Sequence, residues 1–76
     1  MNIIICGAGK VGFSISKQLS AQGHSVTVID QSSEEIKKII DTQDVKGIVG
    51  RATLPTVLEN AGAEKADMVI AVTRND

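Results

Sequence analysis

Four short, mostly apolar runs separated by three amphipathic stretches limit what this 76-residue chain can fold into. The runs are rich in isoleucine and valine, which is typical of strands covered on both faces of a parallel sheet. We predict strands over residues 2–6, 26–29, 45–49 and 68–72. The stretches between them carry apolar residues at helical spacing, so a helix is expected to connect each strand to the next.

The ends of the three helices are predicted from capping residues. The first helix spans residues 10–22, with Gly23 placed as a left-handed C-cap. In the second helix Ser32 caps the first turn, and Glu35 completes a capping box. The third, short helix has Thr53 as its N-cap, Pro55 in its first turn and Gly62 after it. The predicted core-facing residues are Val11, Ile15 and Leu19, then Ile36, Ile39 and Ile40, then Leu58 and Ala61.

Alternation of strands and helices is typical of parallel βαβ units with right-handed crossovers. We therefore predict one α/β, Rossmann-like domain over residues 1–76, with helices on both faces of a parallel sheet of strand order 3-2-1-4. The fourth strand then lies at the edge of the sheet, and its sequence has no charge or proline to protect that edge. We expect this to be an N-terminal fragment whose sheet continues beyond Asp76, or one whose edge a second chain covers.

Residues 7–12, between the first strand and the first helix, read G-x-G-x-x-G, and we call them the glycine loop. A strand before and a helix after this pattern indicate a dinucleotide-binding loop. Gly7 would permit the tight turn, Gly9 the approach of a pyrophosphate, and Gly12 close packing of the helix. The predicted cofactor contacts in the loop are Gly7, Ala8, Gly9, Lys10, Val11 and Gly12. Two alternatives stay open, namely a turn that binds no ligand and a Lys10 side chain that is merely solvated.

Asp30 follows the second strand, 18 residues beyond Gly12, where such folds place an acidic residue that binds the adenosine ribose. Its carboxylate would repel a 2′-phosphate, and residues 31–33 supply no arginine to neutralise one. The sequence thus favours NAD over NADP. In the alternative interpretation Asp30 caps the following helix, and the two roles are compatible.

Three further residues follow strands at the edge where ligands bind in this architecture. Thr73 could bind ribose or phosphate, and Arg74 could pair with a phosphate or lie exposed. Arg51 could stack near the adenine or lie on the surface. We interpret His24 as structural. The chain offers no catalytic triad, paired carboxylates or Cys/His metal site, so we predict neither catalysis nor a metal.

Composition argues against two classes of partner. Net charge is −1, the cations are dispersed and there is one aromatic residue, which is atypical of nucleic-acid binding. No apolar run is long enough to insert into a membrane. A single cysteine, Cys6, cannot form an internal disulfide, which is compatible with the cytosol.

Several segments in sequence order carry a family resemblance. They are M-N-I-I-I-C-G-A-G-K-V-G at 1–12, V-T-V-I-D at 26–30, G-R-A-T at 50–53, V-L-E-N-A-G-A at 57–63 and A-D-M-V-I-A-V-T at 66–73. With them the whole chain resembles the Trk system potassium uptake protein A family, in its N-terminal RCK/KTN (TrkA-N) domain.

The resemblance implies a regulatory domain that binds NAD(H), or in some members ATP or ADP. It implies a cytoplasmic location at the inner face of the cell membrane, a membrane-embedded potassium transporter subunit as partner, and dimers or higher homo-oligomers. The family's nucleotide contacts fall on residues 7–11, Asp30, Thr73 and Arg74. Many members have aspartate where this chain has Arg51, which leaves the adenine side less defined.

Three functions compete at this point. The preferred one is a non-enzymatic sensor whose dinucleotide biases a potassium pathway. The alternatives are the cofactor-binding half of an NAD-dependent dehydrogenase and, against the motifs of the second half, a SAM-dependent methyltransferase.

Overall fold

The computed structural model describes residues 1–51 and 55–72. The chain alternates strand and helix as predicted, and every strand begins and ends within one residue of the predicted position. The elements are β1 (Asn2–Cys6), α1 (Lys10–Ala21), β2 (Ser25–Asp30), α2 (Ser33–Thr42), β3 (Lys46–Val49), α3 (Pro55–Asn60), a 3₁₀ turn (Ala63–Lys65) and β4 (Met68–Ala71). The predicted Thr53 cap of α3 lies outside the described residues.

The four strands form one parallel sheet in the order β3-β2-β1-β4, which confirms the predicted topology. β1 pairs with β2 and β4, so the first strand lies in the middle of the sheet. β4 is an outer strand, and two of its residues expose large apolar side chains, Met68 at 44% and Val69 at 52%. This outer strand is therefore apolar and accessible, as its sequence predicts.

The main core lies between one face of the sheet and the helices α1 and α2. Alternate strand residues, Ile3, Ile5, Val26 and Val28, are buried there against Ile36 and Ile39 of α2. α1 contributes Phe13, Ile15 and Leu19, which are partly buried. Burial of each such aliphatic side chain contributes about 1.5–3 kcal/mol, so this layer dominates the hydrophobic stabilisation.

Two predicted core positions are wrong. Val11 is 58% exposed, and Gly12 and Ser16 are the buried residues of α1 instead. At Gly12 the helix lies so close to the loop that a Cβ would be 1.9 Å from the Gly7 carbonyl oxygen. Glycine has no Cβ, and this allows α1 to turn position 12 rather than Val11 toward the interior. Ile40 is 44% exposed, since it packs over Gly47 of the outer strand β3 and has solvent beyond.

The opposite face of the sheet carries Ile4, Thr27 and Ile29, which are also buried. The segment from Ala61 to Ala66, at the end of α3, lies over Ile4 and Thr27. Helices thus lie on both faces, as expected for a Rossmann-like domain. Leu58 and Ala61 are half-buried, so α3 packs less deeply than α2.

The helix caps follow the prediction with one difference. Gly23 has φ +87°, and the His24 N–H donates to the Leu19 carbonyl, which closes α1 with a Schellman motif. Ser32 Oγ accepts the Glu35 N–H at 3.3 Å, as predicted. The Ser32 N–H, which Glu35 would satisfy in a capping box, donates to Asp30 at 2.8 Å. No helix within residues 1–51 and 55–72 is long and apolar enough to cross a membrane.

Candidate functional site

The glycine loop leaves β1 through a turn that requires glycine. Gly7 has φ +124°, and its N–H donates to the Ile29 carbonyl at 2.8 Å. A Cβ at this position would lie 2.4 Å from the Val72 carbonyl oxygen. Both the backbone conformation and the neighbouring main chain therefore exclude any side chain at Gly7.

The helix that follows the loop presents unblocked N–H groups. Gly9 is the N-cap of α1, and the first helical bond runs from the Phe13 N–H to the Gly9 carbonyl at 2.8 Å. The N–H groups of Lys10, Val11 and Gly12 precede that bond, so helix geometry gives them no partner within α1. No side chain caps this end, and its first turn contains no acidic residue. Such a terminus favours an anion electrostatically.

Asp30 lies beside this loop, at the end of the neighbouring strand β2. Its Oδ2 accepts the Ala8 N–H at 2.7 Å, and its Oδ1 accepts the Ser32 N–H at 2.8 Å. Hydrogen bonds to a charged acceptor contribute about 1.5–3 kcal/mol, somewhat less where the carboxylate is only half-buried. The same carboxylate thus contacts the glycine loop and the start of α2. The contact with Ser32 fits the alternative in which Asp30 holds the start of the following helix, and ribose binding by Asp30 stays a prediction.

The three other predicted contacts have different outcomes. Arg51 is exposed. The preceding Gly50 N–H donates to the Asp30 carbonyl at 2.9 Å, which places the backbone of Arg51 at the same edge of the sheet as Asp30. The Lys10 side chain is also exposed. Thr73 and Arg74 lie outside the described residues. Val72 precedes them and donates its N–H to the Cys6 carbonyl at 2.8 Å, next to the loop.

Cys6 ends β1 at this edge of the sheet, directly before the glycine loop. Burial raises the pKa of the Cys6 thiol, so at neutral pH it is a protonated, weakly nucleophilic group. Across residues 1–51 and 55–72, no three His, Cys, Asp or Glu side chains are grouped to hold a metal ion. His24 Nδ1 lies 3.2 Å from the N-terminal amine of Met1, at the opposite end of the sheet.

Sequence reasoning missed a polar clamp that positions the helix of the site. Ser16, fully buried on α1, places its Oγ 2.7 Å from Gln43 Oε1 and 2.9 Å from the Phe13 carbonyl. Gln43, the C-cap of α2, donates from Nε2 to the same Phe13 carbonyl at 3.1 Å. Ser16 lies four residues after Gly12 and therefore on the same face of α1, and this spacing could have indicated from the sequence that the serine is buried.

Comparisons with known proteins identify relatives across the whole chain. Residues 3–76 match the family model of the TrkA-N domain. The chain is 46% identical over 76 residues to the Trk system potassium uptake protein TrkA of Azorhizobium caulinodans, and 38% identical to that of Vibrio alginolyticus. A TrkA homolog from Pyrococcus abyssi is 40% identical over 78 residues. The alignments cover all of this chain but 17% of each of the first two proteins and 34% of the third.

A solved structure with a similar fold is "Shewanella denitrificans Kef CTD in AMP bound form". It matches with a TM-score of 0.78 and 33% sequence identity. The match covers 97% of this chain and 44% of that one.

Proposed function

The chain belongs to the TrkA-N domain family, and on this premise we propose that it is the nucleotide-binding part of a regulator of potassium transport. The observation that carries the proposal is the placement of the Asp30 carboxylate 2.7 Å from the Ala8 N–H, beside the uncapped start of α1. One group suited to ribose hydroxyls and one suited to a pyrophosphate thus lie together at the carboxyl edge of the sheet.

We propose NAD(H) as the ligand. In this assignment residues 7–12 receive the pyrophosphate through their backbone, and Asp30 accepts the ribose hydroxyls. The ribose would then meet the same carboxylate that accepts the Ala8 and Ser32 N–H groups. Thr73, Arg74 and Arg51 are the further candidate contacts.

The charge of Asp30 favours NAD(H) over NADP(H). A 2′-phosphate next to this carboxylate would add like charges at short range, and residues 31–33 offer no cation. ATP, ADP and AMP remain candidates because they share the adenosine ribose and its phosphates. The AMP of the Kef structure supports this ligand class without distinguishing its members.

Regulation requires that the nucleotide bind two arrangements of the protein with different affinities. We propose a non-enzymatic role, in a homo-oligomer at the cytoplasmic face of the membrane, on a membrane-embedded potassium transporter subunit. The TrkA relatives support this proposal, and the accessible strand β4 is a surface that an assembly could cover. The dehydrogenase alternative would need catalytic residues supplied by a second domain.

Calorimetry with NADH, NAD⁺, NADPH, AMP and ATP tests the ligand assignment. Asp30→Ala should weaken NADH binding about tenfold or more, as expected for loss of a charged hydrogen bond. Asp41→Ala removes an exposed carboxylate of α2 and serves as the control of equal charge change. NADH affinity that survives in Asp30→Ala would remove Asp30 from the site. The absence of binding by every nucleotide would overturn the proposal itself.

Potassium uptake tests the regulatory step. In cells that rely on the gene encoding this chain, Asp30→Ala should abolish the response of uptake to nucleotide while Asp41→Ala preserves it. Steady hydride transfer from NADH to any added substrate would instead favour the dehydrogenase.

A further inference from the structure

A second concave site lies at the edge of the sheet opposite the glycine loop, where the strands begin. It is a cavity of about 170 Å³ on the face that carries Ile4 and Thr27. Strand pairing places Ile4, Thr27 and Lys46 in one row across β1, β2 and β3, and this row forms the floor. The segment from Ala61 to Ala66 forms the roof.

The cavity is lined by the hydroxyl of a buried threonine. Thr27 is 91% buried, as its exposed fraction is 9%. No described residue hydrogen-bonds to its Oγ1, and the hydroxyl is not sealed from solvent. A polar group held inside a domain ordinarily has a partner, so this hydroxyl is suited to one that enters from the cavity.

The side chains that line the cavity carry positive charge, whereas the chain as a whole is slightly negative. Lys46 and Lys65 both line it, and none of its lining residues is acidic, although the whole chain has a net charge of −1. Neither lysine forms an ion pair with the described residues. Asp67 is close in sequence, but it lies outside the lining and accepts the Asn2 N–H at 2.7 Å.

The shape of the cavity sets the size of the ligand. Gly62 of the roof, at φ +82°, has nothing within 4 Å of where a Cβ would be, so no described side chain crowds the chain there. Drug-sized ligands need roughly 300–1,000 Å³, which makes this cavity too small for a nucleotide. We propose that it is a second anion site, which takes a small phosphate-type oxyanion between the two lysine ammonium groups and the Thr27 hydroxyl.

Titration with inorganic phosphate at constant ionic strength, followed by the amide NMR signals of the chain, tests this proposal. We expect saturable shifts of the Thr27, Gly62 and Lys65 amides. Phosphate at the glycine loop would shift a separate set, residues 7–12, so the outcome is independent of the nucleotide proposal. A parallel titration with glycerol phosphate distinguishes free phosphate from a phosphomonoester as the preferred form.

Variants identify the groups responsible. Lys46→Gln with Lys65→Gln should weaken phosphate binding about tenfold or more, whereas Lys37→Gln with Lys38→Gln, the same charge change on the exposed face of α2, should leave it unchanged. Thr27→Val should weaken binding and Thr27→Ser should preserve it, with thermal unfolding confirming that both remain folded. Equal losses in the two lysine pairs, or shifts at Thr27 and Gly62 that never saturate, would overturn the proposal.

Discussion

The Asp30 carboxylate accepts the Ala8 N–H at 2.7 Å, so the end of β2 holds the middle of the glycine loop. Asp30 also accepts the Ser32 N–H at 2.8 Å, at the start of α2. A residue proposed to select the ribose therefore also fixes the backbone proposed to receive the phosphates.

Asp30→Ala should loosen the glycine loop even without ligand. Loss of a charged hydrogen bond of about 1.5 kcal/mol or more corresponds to about tenfold faster amide hydrogen exchange at Ala8 and Ser32. NMR exchange measurements on the free protein would show it. Asp41→Ala should leave both rates unchanged, and unchanged rates in Asp30→Ala would mean that other contacts hold the loop.

Gly12→Ala should destabilise the fold and weaken nucleotide binding. The new Cβ would lie 1.9 Å from the Gly7 carbonyl oxygen, a main-chain atom that cannot rotate away as a side chain would. Such overpacking costs about 1–3 kcal/mol or more in the free energy of unfolding, and it displaces the loop. Urea unfolding and NADH calorimetry measure the two effects.

The matched control is Gly23→Ala. Gly23 has a positive φ, +87°, which the helical Gly12 does not, and nothing lies within 4 Å of a Cβ there. We expect a cost of about 1–2 kcal/mol from backbone strain, with NADH affinity unchanged. Wild-type NADH affinity in Gly12→Ala would contradict the role given to the close packing.

Ser16→Ala should destabilise the domain because it leaves Gln43 Oε1 without its hydroxyl donor. Gln43 is only half-buried, so the loss should be near the lower end of the range for an unsatisfied acceptor, about 1 kcal/mol in the free energy of unfolding. A double-mutant cycle with Gln43→Leu should give a coupling energy of about 0.5 kcal/mol or more. The exposed Ser14→Ala should stay within about 0.5 kcal/mol of the wild type. Additive effects of the Ser16 and Gln43 changes would show that the clamp is not a unit.

Deprotonation of Cys6 should lower the free energy of unfolding of the domain at alkaline pH. Burial raises the pKa of its thiol above the ordinary value of 9.0, so the folded state holds this proton more tightly than the unfolded state. The resulting stabilisation is fully present below the unfolded pKa and is lost as pH rises through the folded pKa. The free energy of unfolding should be measured for the wild type and Cys6→Ala from pH 7 upward. We expect the difference between the two proteins to stay constant up to about pH 9 and to shift against the wild type above it. A constant difference between them would contradict the raised pKa.

The sequence was sufficient for the topology because each strand is a distinct apolar run and each helix has its own capping residues. It was insufficient for the rotation of α1, where helical spacing favoured Val11 as a core residue. That rotation depends on the distance between Gly12 and the Gly7 carbonyl, which no periodicity contains.

Long-range polar contacts were likewise hidden from the sequence. The pairing of Ser16 with Gln43 joins residues 27 positions apart, and either one alone is unremarkable on a helix. Glu35 was predicted to satisfy the Ser32 N–H, but Asp30 accepts it because the end of β2 brings that carboxylate closer. That contact spans only two residues, and the alternative in which Asp30 holds the start of the following helix had allowed for it.

The contact between Gly7 and Val72 couples the loop to the last described residue of the chain. A Cβ at Gly7 would lie 2.4 Å from the Val72 carbonyl oxygen, and the Val72 N–H donates to the Cys6 carbonyl at 2.8 Å. The backbone proposed to receive the phosphates is therefore in direct contact with the backbone that follows β4. A ligand that shifted the backbone of Gly7 would therefore act directly on the residue that follows β4, with no intervening segment.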